Sequence, residues 1–179
     1  MDRPAPEPPQ FPAGAYEVPG DYEDGRLRAQ IAEIEHAPVR LRAAVAGLAG
    51  DQLGAVYRNW SIRQIVHHIA DSHLNGYIRF RLALTEERPT IKPYDESSWA
   101  RLEDALTADV EPSLRLLEGV HARWVHLARS LPRDAWLRAF YHPESRETVP
   151  LWRHLDQYAW HGRHHTQQIV WVREHRLTP

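Results

Sequence analysis

Residues 60–73 read WSIRQIVHHIADSH, and this stretch predicts the beginning of a long amphipathic helix. Ser61 is a typical N-cap residue, and Gln64 follows three positions later, which is the spacing of a capping box. Apolar residues then recur every three or four positions as far as about residue 86. We therefore expect one uninterrupted helix here, with the adjacent histidines His67 and His68 near its beginning.

The same spacing of apolar residues predicts three further long helices. The first spans about Arg26–Leu48, and we expect a kink or a restart at Pro38, because proline lacks the amide N–H that a helix interior requires. The other two begin near Pro112 and Pro150. Because no segment carries a strong strand pattern, the sequence indicates an all-α fold, a four-helix bundle.

The segments before and between these helices are rich in proline. Residues 1–24 hold six prolines, so we expect an extended Pro-rich N-terminal arm there and a single bundle domain over residues 25–179. Residues 87–98 read as a loop, followed by a short helical piece near residues 99–106. Residues 132–149 are irregular and leave room for a short strand or hairpin.

Composition excludes several classes of protein. The 179 residues suit one domain, and a net charge of −2, from 22 basic and 24 acidic residues, gives no basic footprint for nucleic acid. No stretch approaches the length of apolar sequence that spans a membrane. The opening MDRPAPEPPQ lacks the apolar region of a secretory signal, so we expect a cytoplasmic protein. The absence of cysteine removes disulfides, thiolate metal ligands and cysteine nucleophiles.

Two groups of histidines, among twelve in the chain, indicate a metal site. His67 and His68 lie in the second long helix, and His161, His164 and His165 lie in the fourth, within YAWHGRHHTQQI at residues 158–169. Residues three or four apart share a helix face, so His161 pairs with either of the other two. Three imidazoles from two helices would leave a coordination position open, which is the pattern of catalytic zinc, and imidazole also suits nickel, copper and iron.

The position of each histidine around its helix favours some candidates over others. At about 100° per residue, His165 lies about 40° and His161 about 80° from the centre of the apolar face, whereas His164 lies about 140° away, toward solvent. On the second helix His73 lies nearer the apolar centre than His68, so the ligand there stays open between these two. Five other histidines are interpreted as ordinary surface or packing residues: His36, His121, His126, His154 and His175.

Four segments of the sequence closely resemble the DinB-like superfamily, and within it the YfiT group of metal-dependent hydrolases: FPAGAYEVP at 11–19, residues 59–86, PTIKPYDE at 89–96 and YAWHGRHH at 158–165. The resemblance implies an up-down-down-up bundle, a homodimer, and one divalent metal ion per subunit, zinc or nickel. It implies His68, His161 and His165 as the three ligands. His73 would then pack against or support the site.

Three functions are consistent with such a site. The first is metal-dependent hydrolysis of a small-molecule substrate, with Asp95 or Glu96 as candidate general bases. The second, implied by the wider superfamily, is S-transfer with a low-molecular-weight thiol such as bacillithiol. Arginines that could hold an anionic cosubstrate in that case are Arg63, Arg79 and Arg81. The third is a non-enzymatic metal-binding bundle, which a closed four-coordinate site would support.

Two further predictions concern the surroundings of the site. Asp71 and Gln168 are candidates for holding a ligand imidazole in one tautomer, although Asp71 lies on the outer side of its helix by the same rotation. Trp160 and Trp171 lie opposite the apolar centre of the fourth helix, so they suit a homodimer interface, or else they pack beneath the N-terminal arm or a long loop.

Overall fold

A computed structural model describes residues 6–177 and contains four long helices and two short ones. The helices are α1 (Asp24–Val45), α2 (Ile62–Thr85), α3 (Glu96–Trp99), α4 (Glu103–Thr107), α5 (Glu111–Ser130) and α6 (Leu151–Arg176). Two antiparallel hairpins join them, β1 (Val56–Tyr57) with β2 (Trp60–Ser61) and β3 (Ala139–His142) with β4 (Glu147–Pro150). The irregular segment 132–149, in which the sequence left room for a short strand or hairpin, contains most of the second hairpin, and the first hairpin was not predicted.

The four long helices form a bundle in which α1 and α2 are both packed against α5 and α6. Near the beginnings of α1 and α6, Arg26 Nε donates to Asp156 Oδ1 at 2.6 Å, so these two helices are parallel. Near the end of α1, Arg42 Nη1 donates to Glu111 Oε2 at the beginning of α5, 2.8 Å away, so α1 and α5 are antiparallel.

The direction of α2 follows from a buried contact with α6. His154 Nε2 donates to the Gly76 carbonyl at 2.9 Å, which joins the later part of α2 to the first turn of α6 and makes these helices antiparallel. The predicted up-down-down-up bundle is therefore confirmed. The helices approach closely at Gly76, where a Cβ would lie 2.5 Å from Cζ of Tyr158, so only glycine fits without displacing that ring.

Helix α2 begins where the capping box predicts. The Gln64 amide donates to Ser61 Oγ at 3.2 Å, and the Ser61 amide donates to Gln64 Oε1 at 2.9 Å. Gln64 Nε2 also donates to the Ala100 carbonyl at 2.8 Å, which ties this end of α2 to the segment between α3 and α4. The beginning of α2, and with it the position of His68, is therefore held by side-chain hydrogen bonds.

Helix α1 continues through Pro38, so the predicted restart at this residue is wrong. Pro38 has no amide N–H for the Ile34 carbonyl one turn earlier, and His121 Nδ1 on α5 donates to that carbonyl instead, at 2.6 Å. The helix therefore loses one internal hydrogen bond at Pro38 and gains one from a neighbouring helix.

The connections differ from prediction in one further respect. The helical piece expected near residues 99–106 is two short helices, α3 and α4, and Asp95 caps the first of them by accepting from the Ser98 amide at 2.9 Å.

Over residues 6–177, no helix combines the length and the apolar character needed to cross a bilayer.

The N-terminal segment crosses the outer side of α6. Residues 6–23 contain neither helix nor strand, while residues 1–5 of the predicted arm and 178–179 of the predicted bundle lie outside the described residues. Trp160 Nε1 donates to the Gly14 carbonyl at 3.0 Å, and the Tyr16 ring contacts the Trp160 ring. His164 stacks on Trp160 and contacts Phe11, so it is buried, and the prediction that it faces solvent is wrong because the arm covers it.

The core contains a buried histidine whose charge state affects stability. His154 is 2% exposed and packs against the rings of Phe80, Trp124 and Phe140. Burial lowers the pKa of His154 from 6.5 to about 3. Since the unfolded chain binds this proton more readily than the folded chain, the stability that the neutral ring contributes is complete above pH 6.5 and is lost as the pH falls toward 3.

We expect His154→Gln to reduce the pH dependence of unfolding. Glutamine keeps a donor for the Gly76 carbonyl but does not titrate, so the fall in unfolding free energy below pH 6.5 should lessen by about 1.4 kcal/mol per pH unit. Urea unfolding of the metal-free protein between pH 7 and pH 5 measures this slope. The exposed His126→Gln variant serves as the control and should keep the wild-type slope. An unchanged slope for His154→Gln would contradict the assignment.

Candidate metal centre

Three histidines from two antiparallel helices come together near the middle of the bundle. His68 lies on α2, and His161 and His165 lie one turn apart on α6. The ring centroids are 5.1 Å apart for His68 and His161, 4.7 Å for His68 and His165, and 4.5 Å for His161 and His165. His68 is buried, while His161 and His165 are partly exposed.

The nitrogen atoms of this cluster fit one metal ion. One ligand atom from each ring lies within 4.8 Å of the other two, and Nε2 of His68 lies 3.1 Å from Nε2 of His161. Two nitrogens that bind the same tetrahedral zinc at ~2.0–2.1 Å are about 3.3 Å apart. The separation of these two atoms is therefore close to what a shared ion requires.

Gln168 fixes the orientation of His165. His165 Nδ1 donates to Gln168 Oε1 at 2.8 Å, which leaves the Nε2 lone pair of His165 free, and Gln168 Nε2 donates to His164 Nε2 at 3.1 Å. Gln168 thus occupies one of the two predicted supporting positions. Asp71, the other candidate, is partly buried near Asp104, and burial and this neighbouring charge raise the pKa of its carboxyl to about 6.

Burial keeps the three rings neutral at neutral pH. It lowers the pKa of His68 to about 4. The pKa values of His161 and His165 also lie well below the ordinary value, because of burial and because each ring lies beside other imidazoles. Neutral imidazole is the form that binds metal, so no proton has to be removed before an ion can enter.

A cleft of about 500 Å³ opens beside His165, and its volume is in the range of small-molecule sites. Trp60 forms part of its wall and packs against His68 and His165, with ring centroids 4.6 and 6.2 Å away. Arg58 and Arg101 are the cationic residues that line it. The arm contributes to the cleft as well, through Gln10.

The arginines predicted to hold an anionic cosubstrate lie elsewhere. Arg63 donates to the Leu106 and Gly50 carbonyls, Arg79 to the Lys92 carbonyl, and Arg81 to the Tyr77 hydroxyl. None of the three lines the cleft beside His165. Arg58 and Arg101 were not predicted because they lie on the first hairpin and after α3, where no helical periodicity relates them to the histidines.

The two predicted general bases differ in their surroundings. Asp95 is exposed and accepts from the amide and the hydroxyl of Ser98, at 2.9 and 2.5 Å, and these bonds lower its pKa. It therefore serves to begin α3. Glu96 is also exposed, and neither residue lines the cleft.

Most of the other histidines have the ordinary roles predicted for them. His36, His126 and His175 are exposed, and His154 packs in the core. His73, the alternative ligand on α2, does not join the three-histidine cluster, and its Nε2 lies 3.2 Å from His161 Nδ1. His121, interpreted from the sequence as surface or packing, is 1% exposed and is hydrogen-bonded at both ring nitrogens.

The sequence also matches a known protein family. The sequence model of the DinB superfamily matches residues 33–169 of this chain. The chain belongs to the DinB superfamily. The resemblance read from the sequence motifs is thereby confirmed.

Relatives within the DinB superfamily cover nearly the whole chain. YfiT of Bacillus subtilis is 43% identical over 162 residues, which are 89% of this chain and 91% of that protein. A protein of Geobacillus thermodenitrificans is 40% identical over 172 residues, 95% of this chain and 97% of that protein. Both are named as candidate metal-dependent hydrolases.

A solved structure in the superfamily has the same fold. It is that of YfiT from Bacillus subtilis, described as a probable metal-dependent hydrolase with an unusual four-helix bundle topology. The TM-score is 0.88 at 42% sequence identity, over 92% of this chain and 95% of that chain.

Proposed function

We propose that this protein is a metal-dependent hydrolase that holds one divalent ion on His68, His161 and His165. The observation that carries the proposal is the convergence of three neutral imidazoles beside an open cleft. An all-nitrogen donor set, in a chain without cysteine, suits zinc or nickel. The names of the relatives support the same reaction class.

The residues around the ion would have separate roles. A divalent ion held here would lower the pKa of bound water toward ~7 and polarise a scissile carbonyl group. Gln168 holds His165 with its Nε2 free, and Trp60 packs against His68 and His165 at the wall of the cleft. Of the three ligand residues, His165 lines the cleft, so an ion held here would lie beside it.

The cleft favours a small anionic substrate. Arg58 and Arg101 line it together with uncharged polar side chains, among them Asn59, Gln64 and Ser97. Guanidinium groups bind carboxylates through paired N–H donors. An ester or amide that also carries a carboxylate is therefore the substrate class we propose.

A second candidate function uses the same cleft. In S-transfer, the thiol group would come from a cosubstrate such as bacillithiol, since the chain contains no cysteine. The observation that favours this reading is again the pair of arginines, which would hold an anionic thiol. A non-enzymatic role is less consistent with the structure, because a cleft opens beside His165.

Substrate turnover and thiol binding separate these functions. The zinc and nickel forms are assayed with ester and amide substrates in matched pairs, with and without a carboxylate, and low-molecular-weight thiols are screened by thermal shift. We expect metal-dependent hydrolysis that is lost in His68→Ala. Arg101→Gln should raise KM for the carboxylate-bearing substrates about fivefold, consistent with the loss of one charge-assisted contact worth ~1 kcal/mol. Arg115→Gln, a change on the exposed face of α5, is the matched control.

The outcomes assign the function. Stabilisation by a thiol, dependent on metal and absent in His68→Ala, would favour the transferase. Absence of hydrolysis and of thiol binding, with one tightly held ion, would leave the metal-binding role.

Three further features remain proposals. The two tryptophans predicted for a homodimer interface have partners within the chain: Trp160 lies beneath the arm, and Trp171 packs against Tyr57. The proposal of a homodimer therefore rests on the family resemblance. Light scattering, with twice the 20.8 kDa subunit mass expected, tests it. The cytoplasmic location and the division into arm and bundle also stay predictions of the sequence.

A further inference from the structure

A line of hydrogen-bonded imidazoles leads from the candidate metal centre to the far side of the bundle. His161 Nδ1 lies 3.2 Å from His73 Nε2, and His73 Nδ1 lies 2.8 Å from His121 Nε2. His121 Nδ1 lies 2.6 Å from the Ile34 carbonyl oxygen. This histidine line (His161, His73, His121 and the Ile34 carbonyl) includes one residue from each long helix: α6, α2, α5 and α1.

Pro38 makes the far end of the histidine line possible. In an ordinary helix the Ile34 carbonyl would accept from the amide four residues later, but residue 38 is proline and has no amide hydrogen. The carbonyl is buried, so it needs a donor from elsewhere. His121 Nδ1 provides that donor, and the ring is thereby fixed with its proton on Nδ1.

The carbonyl determines the tautomer of every ring in the histidine line. A carbonyl oxygen only accepts, so His121 Nδ1 donates, and Nε2 of the neutral His121 ring must accept. His73 Nδ1 therefore donates to His121, and His73 Nε2 accepts from His161 Nδ1. His161 is left with its Nε2 lone pair free, and this is the atom that lies 3.1 Å from His68 Nε2.

Burial supports neutral rings along the histidine line. His121 is 1% exposed, and burial lowers its pKa to about 4. His73 is 0% exposed, and its hydrogen-bond partners are two other imidazoles, with no carboxylate to offset a positive charge. A cation at this position would be costly, since a buried charge needs a charged partner.

The packing around His73 keeps its ring in line. Tyr158 meets the His73 ring edge-on, with centroids 5.0 Å apart, and the plane of the hydrogen-bonded His121 ring lies within 29° of the plane of His73. On α6, residue 162 is glycine, and a Cβ there would lie 3.3 Å from His73 Cε1. The space between α2 and α6 is therefore just wide enough for the imidazole.

We propose that His73 and His121 are positioning residues that hold His161 in the Nδ1–H tautomer, with Nε2 directed toward the metal centre. The proposal rests on the proposed function for the identity of the metal centre. The tautomers themselves do not depend on a metal, because the Ile34 carbonyl fixes them in the metal-free protein.

Nitrogen NMR of the metal-free protein tests the tautomers directly. Two-bond ¹H–¹⁵N correlation spectra distinguish a protonated imidazole nitrogen from an unprotonated one. We expect protonated Nδ1 and unprotonated Nε2 for His161, His73 and His121. A proton on Nε2 of His161 in the wild-type protein would overturn the proposal, whether or not the protein binds metal.

Variants at His73 test the consequence for metal binding. His73→Phe keeps a ring but removes the acceptor for His161 Nδ1, so affinity for zinc, measured by competition with a chromophoric chelator, should fall about 10–100-fold. His73→Gln carries both an acceptor and a donor and should recover most of this loss. His154→Phe replaces another buried histidine, outside the histidine line, and should bind zinc as the wild type does.

The results separate failure of the inference from failure of the proposed function. Wild-type affinity in His73→Phe, or equal losses in His73→Phe and His154→Phe, would contradict a positioning role. If the wild-type protein binds no metal, the proposed function fails, and the NMR spectra alone then decide whether the histidine line orders the tautomers. The spectra need no variant, so they still test the tautomers in the event that His73→Phe does not fold.

Discussion

His165→Ala will lose high-affinity metal binding, with affinity reduced about a thousandfold. The apparent binding free energy of a structural zinc site is ~10–16 kcal/mol. Losing one of three ligands should cost about a third of that energy, roughly 3–5 kcal/mol. The metal content of the purified protein, measured by mass spectrometry after dialysis, should fall from one ion per chain to nearly none. Isothermal titration with zinc measures the remaining affinity.

The neighbouring residue supplies the control for this prediction. His164 has the same chemistry one position earlier, but its ring stacks on Trp160 beneath the arm and does not belong to the three-histidine cluster. His164→Ala should therefore keep one ion per chain. Equal metal loss in the two variants would contradict the assignment of the helix faces.

Removing the metal will lower the thermal stability of the wild-type protein. An ion at a thousand times its Kd stabilises the folded state by about 4 kcal/mol. For a chain of this length each kcal/mol shifts Tm by about 2–4 °C, so adding a chelator should lower Tm by roughly 8–16 °C. Differential scanning calorimetry of the zinc form, with and without chelator, measures the shift.

The same scan on a ligand variant gives the control. His68→Ala should unfold at one temperature with or without the chelator, since it holds no ion to lose. A chelator effect of equal size in His68→Ala and in the wild type would mean that the stabilising ion binds somewhere else.

The helices of this fold were predictable because burial imposes a period on each of them. The capping box at Ser61 and the prolines near the beginnings of α5 and α6 marked three helix starts, and the apolar spacing marked the lengths. Rotation around α6 likewise placed His161 and His165 on the inner side. Each of these features depends on residues that are close together in the sequence, so it can be predicted from that stretch alone.

The features that were missed depend on contacts between distant segments. His164 was predicted to face solvent because helix periodicity cannot show that an aperiodic arm will cover that side of α6. Pro38 was predicted to kink or restart the helix because the donor that replaces its missing amide is His121, on another helix. Rotation around α2 favoured His73 at least as much as His68, and the family resemblance rather than the periodicity pointed to His68. The approach of α6 places His68 Nε2 beside His161 Nε2 and His73 Nε2 beside His161 Nδ1.

Anomalous X-ray diffraction from crystals grown with zinc or nickel, collected at the absorption edge of the metal, is the most direct test of the central claim. We predict a single strong peak per chain, ~2.0–2.1 Å from Nε2 of His68, His161 and His165. A peak bound by other residues, a peak on Nδ1 of His161, or no peak among the three rings would contradict it.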